Sequence, residues 1–302
     1  MPNVIILGAK GRFGRAALTA FADAGWDVTA FARAWDRVAH QGAPLVTGDA
    51  TDPRALCDAC AGFDVIVNAI NPAYENWARD LPRLTSAMIT AARQSGATVM
   101  IPGNVYNYGA NAPDRLDEET LWLPTSRKGQ LRVEMEKAYR AAGVRTIILR
   151  AGDFIEREKS GNWFDSYITA KAHQGRTMYP GPLDQVHAWA YLPDMARAAV
   201  ELAERREDFA TFEQFGFEGY ALTGEMLVEE IGKAVGAPQK TSGLPWGVIG
   251  LLGLFRRSMR EIHEMRYLWR VPHHIDGGKL ARTLPQFKAT PVEAALREVL
   301  RP

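Results

Sequence analysis

Val4-Ile5-Ile6-Leu7-Gly8-Ala9-Lys10-Gly11-Arg12-Phe13-Gly14 is the stretch whose reading decides the fold. Four apolar residues run into three glycines, and a helix-like segment, residues 15–24, follows at once. This is the order strand, glycine turn, helix. Gly8 suits the sharp exit from the strand, Gly11 a close approach of backbone to a pyrophosphate, and Gly14 tight packing of helix on strand. The helix start adds free N–H groups and the positive end of its dipole. The pattern predicts a dinucleotide site; a plain tight turn is the alternative. The spacing Gly-x-x-Gly-x-x-Gly departs from the more familiar Gly-x-Gly-x-x-Gly.

Outward from this stretch the chain alternates. Further strands are expected at 27–32, 45–47, 64–68, 98–101 and 145–149, with helices at 53–61, 80–95 and 127–142. Asp52 suits the cap of the first of these helices, and Thr125 or Ser126 that of the last. Such alternation predicts an α/β chain with a Rossmann-like, doubly wound parallel sheet, and ligands beyond the carboxyl ends of its strands. After Arg150 the pattern loosens into an aromatic, glycine-containing stretch at 153–182. Helices at 194–205, 225–235, 261–269 and 291–300 and a strand at 212–217 follow. The expected domains are 1–152, binding NAD(P), and 153–302, a smaller, interleaved C-terminal substrate domain. Residues of about 185–210 are expected to pack back on the first.

The 302 residues carry a formal net charge of +1 and are 47% hydrophobic, which suits a packed core and offers no overall field for nucleic acid or an acidic membrane. No basic leader with an apolar core opens the sequence; two cysteines make no secreted disulfide framework, so a reducing, cytoplasmic compartment is expected. Residues 246–255 are apolar but too short to span a bilayer, which takes roughly 20 residues. They are expected to form a buried or pocket-covering helix, with peripheral membrane contact as the alternative. Cys57 and Cys60 fall late in a predicted helix and read as packing residues rather than a redox pair. His187, His263, His273 and His274 match no zinc-ligand spacing, so no metal is expected.

Arg33 follows the second strand, where NAD-preferring units place an acid for the ribose 2′-hydroxyl. A guanidinium matches a 2′-phosphate instead. Arg12 and Arg37 add positive potential, so NADP is favoured over NAD, with Asp36 and a merely solvated Arg33 as the counter-arguments. Asp49, followed by Ala50, ends the third strand and suits the adenine amino group; Asn68 and Ala69 end the fourth and suit a cofactor ribose. The alternative for Asn68 is a turn residue. The expected cofactor contacts are thus Gly8, Lys10, Gly11, Arg12, Phe13, Gly14, Arg33, Asp49, Ala50, Asn68 and Ala69.

These pieces resemble the short-chain dehydrogenase/reductase superfamily, in its extended and atypical branches. The resemblance is carried by the glycine spacing, Gly48-Asp49-Ala50-Thr51-Asp52, Asp64-Val65-Ile66-Val67-Asn68-Ala69, Val105-Tyr106 with Tyr108-Gly109, and Tyr191-Leu192-Pro193-Asp194. Leu222-Thr223-Gly224-Glu225 and Thr290-Pro291 extend it toward the C-terminus. The superfamily's Ser or Thr after the fifth strand is replaced by Gly103 and Asn104, and its Tyr-x-x-x-Lys by Lys128-x-x-x-Arg132, followed by Glu136. This run is similar to the isoflavone-reductase-like branch, in which the resemblance implies that the lysine is acid or base.

Lys128, Arg132 and Glu136 recur at i, i+4 and i+8, on one helical face. Arg132 beside Lys128 would disfavour the ammonium, and Glu136 would hold Arg132. A solvated charged face is the plain alternative; ribose binding by Lys128 without acid–base work is another. Asn104 and Tyr106 are the next candidates to orient a substrate oxygen. Tyr74, Trp77, Tyr106, Tyr108, Trp163, Tyr179 and Trp189 are expected to line the cleft, and Asp194 to cap its helix. The expectation is an NADP-dependent oxidoreductase, a reductase of a small or medium organic substrate, as monomer or homodimer. A nucleotide-sugar epimerase/dehydratase-type enzyme and a non-catalytic NADP-sensing regulator are the alternatives.

Overall fold

A computed structural model describes residues 1–33 and 42–301. Its main sheet has seven strands: β1 (Asn3–Leu7), β2 (Asp27–Ala32), β3 (Leu45–Thr47), β4 (Val65–Asn68), β5 (Thr98–Gly103), β6 (Thr146–Arg150) and β7 (Phe212–Gly216). Their order is β7-β6-β5-β4-β1-β2-β3. Every pairing from β6 to β3 is parallel. The order reverses between β1 and β4, the switch point at which such sheets bind ligands. Val4, Ile5, Ile6 and Leu7 are wholly buried, as a central parallel strand covered on both faces requires. This is the Rossmann-like fold expected from the alternation.

Helices α1 (Arg12–Asp23), α2 (Pro53–Cys60), α3 (Trp77–Ser95), α4 (Arg127–Ala142) and α5 (Leu192–Glu204) accompany these strands. Asp52 caps α2 by accepting from Arg54 N–H at 2.9 Å, with Pro53 in the first helical position. Ser126 Oγ accepts from Gly129 N–H at 3.0 Å and so caps α4. Three helices start at least three residues earlier than expected: α1 at Arg12, not at residue 15, α3 at Trp77, not at 80, and the helix expected at 261–269 at Arg257. The turn after β1 is so tight that Gly11 is already the cap, and its carbonyl takes Arg15 N–H at 3.0 Å.

The chain divides into two compact units. The first comprises Met1–Gly103, Gln130–Arg150 and Met195–Phe215; the second comprises Asn104–Gly129, Ala151–Asp194 and Gly216–Pro302. In the second unit Val186–Tyr191 pairs antiparallel with Tyr220–Thr223 and parallel with Asp153–Ile155. Phe164, Tyr179, Trp189, Leu227, Ile231 and Leu296 belong to its core. Helices α6 (Gly224–Val235), α7 (Trp246–Gly253) and α8 (Arg257–Glu264) follow, the last continuing as a 3-10 turn over Met265–Trp269. Trp77, Tyr179 and Trp189, expected to line a cleft, are core residues exposed by 2% or less. Among the described residues no helix is long and apolar enough to cross a membrane.

Candidate functional site

In the first unit the glycine turn closes on the end of β4. Gly8 has φ +74°, the left-handed region that glycine alone enters cheaply, and a Cβ there would lie 2.8 Å from the Ala69 carbonyl oxygen. Gly11 N–H donates to Gly8 O at 2.8 Å. A Cβ on Gly14 would overlap that same Gly8 oxygen. Helix α1 then begins with no side-chain cap and no acidic residue in its first turn. Arg15 Nη1 donates to Lys10 O at 2.9 Å and braces the turn. A backbone cradle that excludes side chains and ends on an uncapped helix start fits a dinucleotide's diphosphate.

The other sequence candidates of this unit stand around the carboxyl ends of the strands. Lys10 and Arg33 are exposed and Arg12 is half-buried. Phe13 and Ala50 are buried. Arg37 and Asp36 lie outside the described residues. Asp49 accepts from the Thr51 N–H and hydroxyl, both at 2.9 Å, and these bonds, the backbone one first, hold its carboxyl below the usual range. Asn68 is more than a turn residue: its amide donates to Tyr139 Oη at 3.1 Å while its Oδ1 accepts from Ile70 N–H at 3.3 Å. Tyr139 is wholly buried on α4, and burial pushes its hydroxyl up.

Helix α4 reaches two more strand ends. Arg132 Nη2 donates to the Pro102 carbonyl of β5 at 2.8 Å. Glu136, at 0% exposure, lies 3.7 Å from Arg132 but 2.7 Å from Arg150, the last residue of β6. Arg150 also donates to Gln214 Oε1 of β7 at 3.1 Å. The expected pairing of Glu136 with Arg132 is therefore secondary to its pairing with Arg150. Gly103, which stands where the resembling family has Ser or Thr, has no room for a side chain: a Cβ would lie 2.8 Å from Ile148 Cγ2 and 3.1 Å from Arg150 Cα.

Lys128 belongs to the second unit. It is 1% exposed, so the plain alternative of a solvated charged face does not hold here; Arg132 and Glu136 are buried too. Lys128 Nζ donates to Glu261 Oε2, to Glu264 Oε2 and, at 3.2 Å, to the Glu261 carbonyl. Three N–H donors thus meet three acceptors on α8. Glu264 Oε1 also takes Arg127 N–H at 2.6 Å. Asn104 Oδ1 accepts from Tyr106 N–H at 3.1 Å and caps the turn Val105–Tyr108. Tyr106 is buried in that turn, and Gly129 packs on its carbonyl oxygen.

Sequence reasoning missed Tyr139, Arg150, Gln214, Glu261 and Glu264. Arg150 carried a usable signal: a charge closing the apolar run Ile147, Ile148, Leu149 requires a counter-ion. Asp194 lies buried in the first turn of α5, where it accepts from Thr290 N–H at 2.5 Å and Thr290 Oγ1 at 2.9 Å, partners that the expected capping role did not include. Burial pushes the Cys60 thiol up to about 12 and raises Cys57, and both are unpaired cysteines, in keeping with packing residues. Asp153 bonds His187 Nε2 at 2.8 Å, and the described residues hold no cluster of three or more ligand-type side chains suited to a metal ion.

The chain belongs to the NAD(P)H-binding family whose model matches residues 8–178, beginning at the first glycine of the turn. No curated protein matches it. Its fold is similar to that of UDP-N-acetylglucosamine 4-epimerase from Bacillus cereus, at 14% identity and a TM-score of 0.78, over 99% of this chain and 98% of that one. A nucleoside-diphosphate-sugar epimerase from Pseudomonas aeruginosa is 18% identical, with a TM-score of 0.77 over 98% and 95% of the two chains. UDP-glucose 4-epimerase from Bifidobacterium longum, solved with NAD+ and UDP, is 15% identical, with a TM-score of 0.76 over 99% and 97%. These likenesses agree with the Rossmann-like, doubly wound fold of the seven-stranded sheet.

Proposed function

We propose that the protein is an NADP-dependent oxidoreductase acting on a small or medium organic substrate. The observation that carries the reading is the glycine cradle, closed on Ala69 and continuous with the uncapped start of α1. Gly8, Gly11, Gly14 and the first turn of α1 would hold the diphosphate; Asn68 and Ala69 would meet a ribose and Asp49 the adenine. Arg33, with Arg12, would meet the 2′-phosphate. A bound nicotinamide would supply hydride. Lys128 is the proton donor in this reading, with Asn104 and Tyr106 orienting the substrate oxygen. To donate, Lys128 must first give up one of its partners on α8.

That last requirement favours a second reading, a non-catalytic NADP-binding regulator in which Lys128 only fastens α8. The two separate in one set of measurements. NADPH is expected to bind more tightly than NADH, and Arg33→Ala to weaken NADPH by roughly tenfold, the worth of a charge-assisted bond. A substrate screen that includes nucleotide sugars, the class named by the structural neighbours, is then run with wild type and Lys128→Met. Turnover lost in Lys128→Met with NADPH affinity unchanged supports the oxidoreductase. Tighter binding of NADH refutes the NADP assignment, and absence of turnover in the wild type favours the regulator.

A further inference from the structure

Helix α7 differs from the expected buried or pocket-covering helix. Trp246, Ile249 and Gly253 face inward, and α8 lies close behind: a Cβ on Gly253 would be 3.1 Å from Arg260 Cα, and one on Gly250 3.1 Å from the His263 ring. The outer side carries Val248, Leu251 and Leu252 at i, i+3 and i+4, and Leu254 and Phe255 follow in the turn after the helix. Their exposures, in that order, are 56%, 61%, 39%, 74% and 83%. Large apolar side chains are thus gathered in solvent at one tip of the second unit, where most such patches mark an interaction site.

The same tip is cationic. Arg256, Arg257 and Arg260 are exposed and make no ion pair among the described residues. The acids that share α8 with them, Glu261 and Glu264, are engaged by Lys128. Apolar stripe and free guanidinium groups therefore stand together, three cations outnumbering the single negative charge that Lys128 leaves on Glu261 and Glu264.

We propose that this tip docks on an anionic lipid bilayer, with Leu251, Leu254 and Phe255 entering the acyl boundary and Arg256, Arg257 and Arg260 meeting headgroup phosphates. A short helix with one apolar side and adjoining arginines is the pattern of an interfacial anchor. Eight residues make a helix of about 12 Å, too short to span a core of about 30 Å, so it lies in the interface plane. A protein partner fits less well. A stable protein interface takes about 800 Å² from each side, more than a two-turn helix offers. A bilayer sets no such minimum, because each apolar side chain gains by its own transfer.

Flotation of the full chain with phosphatidylcholine vesicles, with and without phosphatidylglycerol, tests the proposal. Partition onto the anionic vesicles is expected to exceed that onto neutral ones by on the order of a hundredfold at low salt, and to fall in high salt. Leu251→Ser with Phe255→Ser is expected to abolish flotation on both. Arg256→Ser with Arg257→Ser is expected to cut the anionic preference by more than about tenfold and to leave partition onto neutral vesicles unchanged. Thermal unfolding of each variant should match the wild type, since these side chains are exposed. Failure of the wild type to float with anionic vesicles overturns the proposal. So does flotation unaffected by the apolar pair of substitutions. A change of oligomeric state with those substitutions, flotation being absent, assigns the stripe to a second copy of the chain.

Discussion

The glycine turn and the charged run of α4 were both prominent in the sequence, and they are built in opposite ways. The turn is made of backbone: a positive φ at Gly8, a carbonyl at Ala69, an amide at Gly11. The run is made of side chains, and its members serve different partners. Lys128 is held by Glu261 and Glu264 on α8, whereas Arg132 and Glu136 are held by Pro102 and Arg150 at the ends of β5 and β6. Equal spacing on one helical face did not make one constellation. Where geometry is set by backbone, nearby sequence states it; where it is set by charge, the counter-ion decides, and that is chosen by the fold.

The largest expected effect breaks the charged side. Arg150→Met leaves Glu136 wholly buried without its nearest cation and should cost about 3 kcal/mol, the low end for a broken buried pair because Arg132 remains at 3.7 Å. Urea unfolding measures it; a loss below about 1 kcal/mol would mean that Glu136 does not depend on this partner. On the backbone side, Gly14→Ala forces a Cβ onto the Gly8 carbonyl and should cost about 1–3 kcal/mol, as overpacking does. Its sharper readout is NADPH affinity, which should drop while the unfolding transition stays cooperative. Unchanged affinity would show that the turn tolerates displacement.

The third effect is a slope with pH in the second unit. Burial first, then the neighbouring His187, push the His273 pKa down to about 3, against the opposing Val271 carbonyl. The folded chain therefore keeps this imidazole neutral while the unfolded chain protonates it below about 6.5. Stability from this group is complete above that pH and is lost as pH falls toward 3, by about 1.4 kcal/mol per unit. Comparing wild type with His273→Asn at pH 7.5 and pH 5 should show a weaker acid dependence in the variant. Equal dependence would place the titration elsewhere.

Much of the fold was legible because it rests on local rules. Buried parallel strands must be nearly all apolar, so residues 4–7 and 65–67 read directly, and Asp52-Pro53 announced α2. The departures were matters of partner and exposure. Nothing near Lys128 in sequence foretells carboxylates 133 and 136 residues away. An acid in the first turn of a helix, such as Asp194, gives no local sign that a Thr290 hydroxyl and amide will also bond it. Residues 246–255 are apolar enough to suggest burial, and only the tertiary structure shows that one side stays outside.

The division of the chain into alternating segments also sets an order of events during synthesis. The first unit needs residues up to Phe215, because Arg150 must find Gln214 on β7 as well as Glu136. The second needs far more: its core runs from Ile155 to Leu300, and Asp194 finds its hydrogen-bond donors only at Thr290. Domains fold as units as the chain emerges. When Gln214 leaves the ribosome, the first unit can close while Trp189 and Tyr191 still await the last helix, Val292–Val299, and the Asp194 carboxylate awaits Thr290. For that interval the nascent protein is half a folded molecule carrying an exposed aromatic surface. A chain cut short before Thr290 would keep that surface permanently.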